Sequence, residues 1–219
     1  MNDENSEPDE PPPHPRRMPQ QLRSRELVRA IREAGLLLLG EEGPEALNTN
    51  RIAERAGVGI ASLYRYYPNK DAVLADIFEA RIEEIDEEYR EILARPDFQR
   101  KSLREKLRQM VEVPVMISRE LLALHQKFFR AHHRHFEISY RRGPEGEPSW
   151  VEWSERWWRD TLAIHRDELR VGNVDLAALI VLSGLRGAID NAVARYPEYF
   201  DEPEFVDEMV DMAKRYLLK

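Results

Sequence analysis

The 219-residue chain has no cysteine, which excludes a disulfide framework and thiolate metal ligands. It also lacks long apolar runs: Leu36 to Leu39 is only four residues, against the roughly 18 needed to span a membrane. A soluble protein with no membrane partner is therefore expected. No basic stretch followed by an apolar one opens the chain, so a cytoplasmic location is the expectation. Catalytic signatures are missing as well. There is no glycine-rich phosphate loop, no Gly-x-Ser-x-Gly and no His-Glu-x-x-His, and the paired acids Glu83-Glu84 and Glu87-Glu88 read as a solvated helix face. Neither an enzyme nor a cofactor is expected. Strand-like alternation and internal repeats are absent, and the apolar spacing is helical throughout, so the expected fold class is all-α.

What is present is an uneven distribution of charge. The net charge of -8 is wrong in sign for a partner of nucleic acid until it is divided along the chain. Residues 1–15 hold five acids and no Lys or Arg, residues 16–70 hold ten basic and six acidic residues, and residues 71–219 hold 23 basic and 30 acidic. The positive surplus is confined to one segment, the asymmetry expected where phosphate binding gains from counterion release.

Within that segment, Asn48 to Leu74 reads as two short helices around a glycine turn, followed by a third helix. Asn48 or Thr49 can accept from the free amides that open a helix, and Ile52, Ala53 and Ala56 form one buried stripe. Ala53 is small where two helices cross, Gly57 can take the positive φ that reverses the chain, and Val58 plugs the angle between them. In the second helix Leu63 and Tyr67, spaced i and i+4, are expected to be buried. Ile60, Ala61, Ser62, Tyr64, Arg65 and Tyr66 are left for an outside partner. Hydroxyls, an arginine and small apolar groups suit phosphate oxygens, guanine edges and thymine methyls. No acid occurs from residue 56 to 70.

The run Thr-x-x-Ile-Ala-x-x-Ala-Gly-Val, then Leu-Tyr-x-Tyr-Tyr-x-x-Lys-x-x-x-Leu, resembles the DNA-binding module of the TetR family of bacterial repressors over roughly residues 20 to 75. The resemblance implies that Thr49, Arg51, Ser62, Tyr64, Tyr66 and Lys70 contact phosphates or bases, with Ile60, Ala61 and Arg65 as the sequence-reading surface. Thr49 can equally be a helix cap and Lys70 a solvated lysine. Gly59 stands where the family often has serine, leaving the second helix without a side-chain cap. Ala61 replaces a frequent glycine, and Tyr67 a usual phenylalanine, so its hydroxyl needs a partner.

Three segments are expected: a disordered acidic, proline-rich tail over residues 1–18, a helix-turn-helix domain over 19–70, and a helical ligand-binding and dimerisation domain over 71–219. Arg16 and Arg17 read either as a minor-groove arm or as a solvated linker. Asp71 to Ala94 reads as a connecting helix, with further helices at about 99–117, 119–139, 149–169, 174–195 and 203–218, and a loop from Arg141 to Pro148. The helix over 174–195 is apolar nearly all round, hence central to a core or shared with a second copy. The resemblance implies a homodimer through helices 174–195 and 203–218, a palindromic DNA operator, and a small-molecule effector that swings the connecting helix and releases the DNA.

Two side-chain stripes are candidates for the effector site. His125, Phe128, Phe129, His132 and Phe136 share one helix face, and Trp153 and Trp157 belong to a second stripe with Trp150 and Trp158. Each reads either as core or as the wall of a pocket for a lipophilic or aromatic molecule. Were they core, a DNA-binding repressor or architectural protein without a ligand would be the alternative. His125 and His132 lie two turns apart, about 10 Å along a helix axis. His132 and His135 could chelate but lack a cysteine or acid at matching spacing, so no metal site is expected.

Overall fold

The computed structural model describes residues 11–16, 22–136 and 150–219. Among them the regular structure is helical, apart from one bridge between Leu169 and Leu218. The chain is all-α, as its apolar spacing predicts. By contact it falls into two compact units, Met1–Glu84 with Ala123–Phe136, and Ile85–Leu122 with Glu137–Lys219.

The first unit opens with α1 (Leu22–Glu42), whose Val28, Ile31, Ala34, Leu38 and Leu39 form the buried face. Gly35 lets α1 approach α4 (Lys70–Ala94): a Cβ at this position would stand 2.8 Å from Ile77 Cδ1. A 3-10 turn, Pro44–Ala46, leads to α2 (Thr49–Arg55), which Asn48 caps by accepting the Arg51 amide at 3.0 Å. Gly57, at φ 66°, reverses the chain, a conformation that costs any residue with a Cβ. Then comes α3 (Ile60–Tyr66), which has no side-chain cap at Gly59, as expected. Asn69 caps α4 by accepting the Ala72 amide at 2.9 Å. From Ala72 to Phe78 every residue of α4 is buried. Phe78 stacks against Phe128, Phe129 and Phe136, with ring centroids 5.3 to 5.8 Å away.

Residues 11–16 pack on this unit. Pro12 is buried, the Arg16 amide donates to the Tyr66 carbonyl at 2.7 Å, and His14 Nδ1 lies 3.6 Å from Glu79. The acidic, proline-rich composition does not reveal this docking, because it rests on main-chain groups and one proline ring. Residues 1–10 and Arg17 lie outside the described residues.

The short α5 (Pro96–Gln99) belongs to the second unit, and α6 (Leu103–His132) belongs to it up to Leu122 and to the first unit from Ala123. The two helices expected at 99–117 and 119–139 do occur as two within α6, but the break between them falls at His125 (φ −163°, ψ 87°) rather than between 117 and 119. The first runs through Pro114 without a break. Leu103, Leu107, Val111 and Val115, spaced by four, are buried on its inner face, which supports the helix on both sides of the proline. At the break His125 Nδ1 accepts the Phe128 amide at 3.2 Å, so the ring serves as the N-cap that restarts the helix.

The remaining elements are α7 (Trp150–Ile164), α8 (Val174–Arg195) and α9 (Pro203–Leu217). The loop expected from Arg141 to Pro148 lies outside the described residues. Asn173 caps α8 by accepting the Leu176 amide at 3.0 Å. By length and composition α8 is apolar enough to cross a membrane, which short uninterrupted runs in the sequence do not disclose. One of its faces is core, carrying Ala177, Val181, Leu185, Ile189 and Ala192, while Leu176, Leu179 and Ile180 on another are exposed. The C-terminus is tied down by the Arg170 amide donating to the Leu217 carbonyl at 2.9 Å and the Lys219 amide to Glu168 at 3.0 Å.

Candidate nucleic-acid interface

The helix-turn-helix is held from below by a buried polar knot. Tyr67 has no exposed surface, and its hydroxyl donates to Asp76 Oδ2 at 2.6 Å. Arg32 closes on both oxygens of the same carboxylate, at 3.0 and 3.1 Å. The tyrosine that replaces the family's phenylalanine thus finds the partner its hydroxyl requires. Burial, then the negative Asp76, pushes the Tyr67 phenol well above its usual range. For Arg32 burial is the largest single effect and works against the charged form, but the hydrogen bonds it donates to Asp76 and the electrostatic attraction of Asp76, Tyr67 and Glu83 together raise its pKa. The knot joins α1, the end of α3 and α4, so the orientation of α3 is set by charge-assisted hydrogen bonds as well as by packing.

On this support Leu63 is fully buried, and Tyr64 is 43% and Ile60 36% exposed. Ala61 and Arg65 are exposed and Ser62 half-buried. Thr49 Oγ1 and Tyr64 Oη lie 3.0 Å apart, so the first residue of α2 and the middle of α3 offer two hydroxyls at one place. Thr49 is not the cap of α2, since Asn48 fills that role. Lys70 is exposed at the start of α4.

Two expected contact residues are placed otherwise. Tyr66 is only 9% exposed, which corrects the expectation that it faces outward. It comes two positions after Tyr64, too far round a helix to share its face, and the Arg65 guanidinium lies over its ring, 5.3 Å from the centroid. Arg51 is engaged within the protein: its Nη2 donates to both oxygens of Glu42, at 2.5 and 2.6 Å. Arg55 donates to Glu41 at 2.6 Å. The hydrogen bond with Arg51 holds the Glu42 carboxyl below its usual range and raises the Arg51 guanidinium. Glu41 and Glu42 stand in the last turn of α1, where acids oppose the helix dipole, and the two arginines supply the compensating charge. No local spacing signals this pairing, because it joins residues on different helices.

The aromatic stripes fall in different units. Phe128, Phe129 and Phe136 are buried around Phe78 in the first, with the His132 ring 4.8 Å from Phe128. Burial is the main cause that lowers the half-buried His125 from its usual range. In the second unit Trp153 and Trp157 stack 6.4 Å apart and pack on the Leu93–Phe98 cluster. The same unit has a small apolar recess between α6, α7 and α8. It is lined by Leu107, Met110, Trp158, Leu162, Val181 and Leu182 and encloses about 10 Å³. Among the described residues no His, Asp or Glu group is arranged to hold a metal ion.

Comparison with known proteins bears on the same segment. The model of bacterial regulatory proteins of the tetR family matches residues 31–77. The HTH-type transcriptional repressor KstR of Mycolicibacterium smegmatis is 37% identical over 62 residues, 28% of this chain and 30% of its own length. The nucleoid occlusion factor SlmA of Mannheimia succiniciproducens is 46% identical over 50 residues, 23% of this chain and 21% of its own. The matches thus span less than a third of these curated relatives. In fold, the chain is similar to a TetR transcription regulator from Haloarcula marismortui, with TM-score 0.51 and 18% identity over 89% of this chain and 100% of that one. It is also similar to NalD of Pseudomonas aeruginosa, with TM-score 0.50 and 17% identity over 90% and 98%. In its helix-turn-helix and the clamp onto the following helix, residues 31–77, the chain carries the DNA-binding module of the tetR family of bacterial regulatory proteins.

Proposed function

We propose that the protein is a cytoplasmic, dimeric transcriptional repressor that binds a palindromic operator through residues 19–70 and is released by a small lipophilic or aromatic molecule bound within residues 71–219. The observation that carries the DNA-binding part is the outward face of α3, where Ile60, Ala61, Tyr64 and Arg65 are exposed together. The hydroxyl pair Thr49–Tyr64 adjoins that face. Tyr64, Thr49, Ser62 and Lys70 hold phosphates, Arg65 reads a base edge, and Ile60 and Ala61 meet thymine methyls.

Dimerisation is assigned to α8 and α9. The exposed side of α8 is a stripe of Leu176, Leu179, Ile180, Ser183, Gly184 and Gly187, and a Cβ at either glycine would meet nothing within 4 Å. An apolar stripe with small residues at its centre suits a close crossing with its own copy. Two recognition helices about 34 Å apart then read the two halves of a palindrome, which one short helix cannot. The effector response is assigned to the two aromatic groups, Trp153 and Trp157 as part of the ligand-binding wall, and His125, Phe128, Phe129, His132 and Phe136 as the packing that transmits a movement of α4.

Selection of bound fragments from random duplexes tests the reading. A palindrome with half-sites one helical turn apart is the expected result, and no enrichment would overturn it. A second reading, a DNA-binding repressor without a ligand, is favoured by the tight burial of Phe128, Phe129 and Phe136 and by the small size of the recess.

A further inference from the structure

The helix-turn-helix unit treats its cations in two ways. On α2, Arg51 and Arg55 are each held by a carboxylate of α1. Around the end of α3 they are left open: Arg16, Arg65 and Lys70 are exposed, and among the described residues no carboxylate pairs with any of the three. A source of the opposite charge is covalently attached close by. Residues 1–10 carry Asp3, Glu4, Glu7, Asp9 and Glu10 and no Lys or Arg, and the segment that follows them is fixed in place. The Arg16 amide donates to the Tyr66 carbonyl at 2.7 Å, Pro12 is buried, and the His14 ring lies 5.5 Å from that of His135. At about 3.3 Å per extended residue, Pro11 stands at most about 17 Å from Arg16 and hence from the end of α3, whichever way the strap runs. Back from Pro11 the chain can span about 26 Å to Asp3 and about 23 Å to Glu4. The acids can therefore return to Arg16, Arg65 and Lys70, and the tether holds them at an effective concentration of the order of millimolar.

We propose that residues 1–10 are a tethered competitor for DNA: their carboxylates occupy the cationic face formed by Arg16, Arg65 and Lys70, and a duplex must displace them. The assignment rests on the DNA-binding reading and adds an autoinhibitory contact to the same face. Each exposed ion pair is weak and screened by salt, so the tail attenuates binding and does not abolish it. Because the tail leaves the face before any duplex docks, affinity for every sequence falls by one common factor. The preference for an operator over random DNA is unchanged, while random duplexes, held almost entirely by phosphate contacts, are released at a lower salt concentration.

The test compares the full chain with one whose tail is neutralised by Asp3→Asn, Glu4→Gln, Glu7→Gln, Asp9→Asn and Glu10→Gln. A short duplex of random sequence is titrated into each. At about 0.05 M salt the neutral tail should bind it about fivefold more tightly, the order expected for releasing a few exposed ion pairs, and the advantage should shrink as salt rises to about 0.2 M. A second measurement locates the tail without DNA. Ser6→Cys gives a single site for a spin label, since the chain has no other cysteine. The label should broaden the amide signals of residues 62–70 more in the acidic tail than in the neutral one, and added duplex should restore them. The proposal is overturned if the neutral tail binds the duplex no more tightly at low salt, if its advantage is independent of salt, or if the label broadens residues 62–70 equally in both tails. If neither chain binds any duplex, the DNA-binding reading falls and the label alone decides whether the tail docks.

Discussion

At the scale of single residues, the interface is a set of side chains whose present partners say what DNA must displace. Lys70 is exposed, so Lys70→Ala should weaken binding to every duplex alike and flatten the salt slope by about one unit, while Arg65→Ala should relax base preference at one position. Titrating selected and scrambled duplexes across a salt series separates the two outcomes. Arg51 presents the converse case, because Glu42 already occupies it. Both side chains are solvent-accessible, where such a pair is readily exchanged for a phosphate. Glu42→Gln should therefore tighten binding and steepen the salt slope by about one unit. An unchanged slope would remove Arg51 from the contact set. Below the interface, Tyr67→Phe takes one of the donors from Asp76 but leaves Arg32 in place. It should cost about 1.5 kcal/mol in denaturant unfolding, the usual worth of a hydrogen bond to a charged group.

At the scale of elements, the break in α6 is the feature most sensitive to conditions. His125 caps the last helical turns through an unprotonated Nδ1 that accepts the Phe128 amide, and its pKa is lowered first by burial. Lys70 adds to the lowering, while Asp71 and Glu45 oppose it. The unfolded chain therefore binds this proton more readily than the folded one, and stability falls as pH drops below the usual histidine value of 6.5 toward the folded pKa. Asn can cap through its side-chain oxygen and does not titrate. Thermal melts of His125→Asn should show a shallower loss between neutral and mildly acidic pH than the wild type, and identical profiles would exclude the ring as the titrating cap. In the helix-turn-helix, Gly57→Ala should lower stability by about 1 kcal/mol through its positive φ alone.

At the scale of the whole molecule, the open stripe of α8 is the most exposed commitment. Ile180→Asp places a charge at an exposed position of one chain and should leave the fold intact, but it should convert a dimer to a monomer in sedimentation at micromolar concentration. Operator affinity should fall at the same time, because each half-site is then bound alone. A wild-type chain that sediments as a monomer would remove the dimer. A variant that still dimerises would move the interface to another surface.

The sequence by itself determined the all-α class, the order of the three helices between Asn48 and Ala94, and the glycine turn that presents α3. These follow from spacings of three and four residues, caps and one positive-φ glycine, all of them local. The outward face of α3 was legible for Tyr64 and Arg65 and misread for Tyr66, because residues two apart on a short helix are divided between core and solvent by what packs beneath them. Only the tertiary structure decided that Glu42 holds Arg51 and that Tyr67 reaches Asp76. Each of these joins residues nine apart on different elements, and burial and electrostatics act through space, where periodicity along the chain carries no record of them.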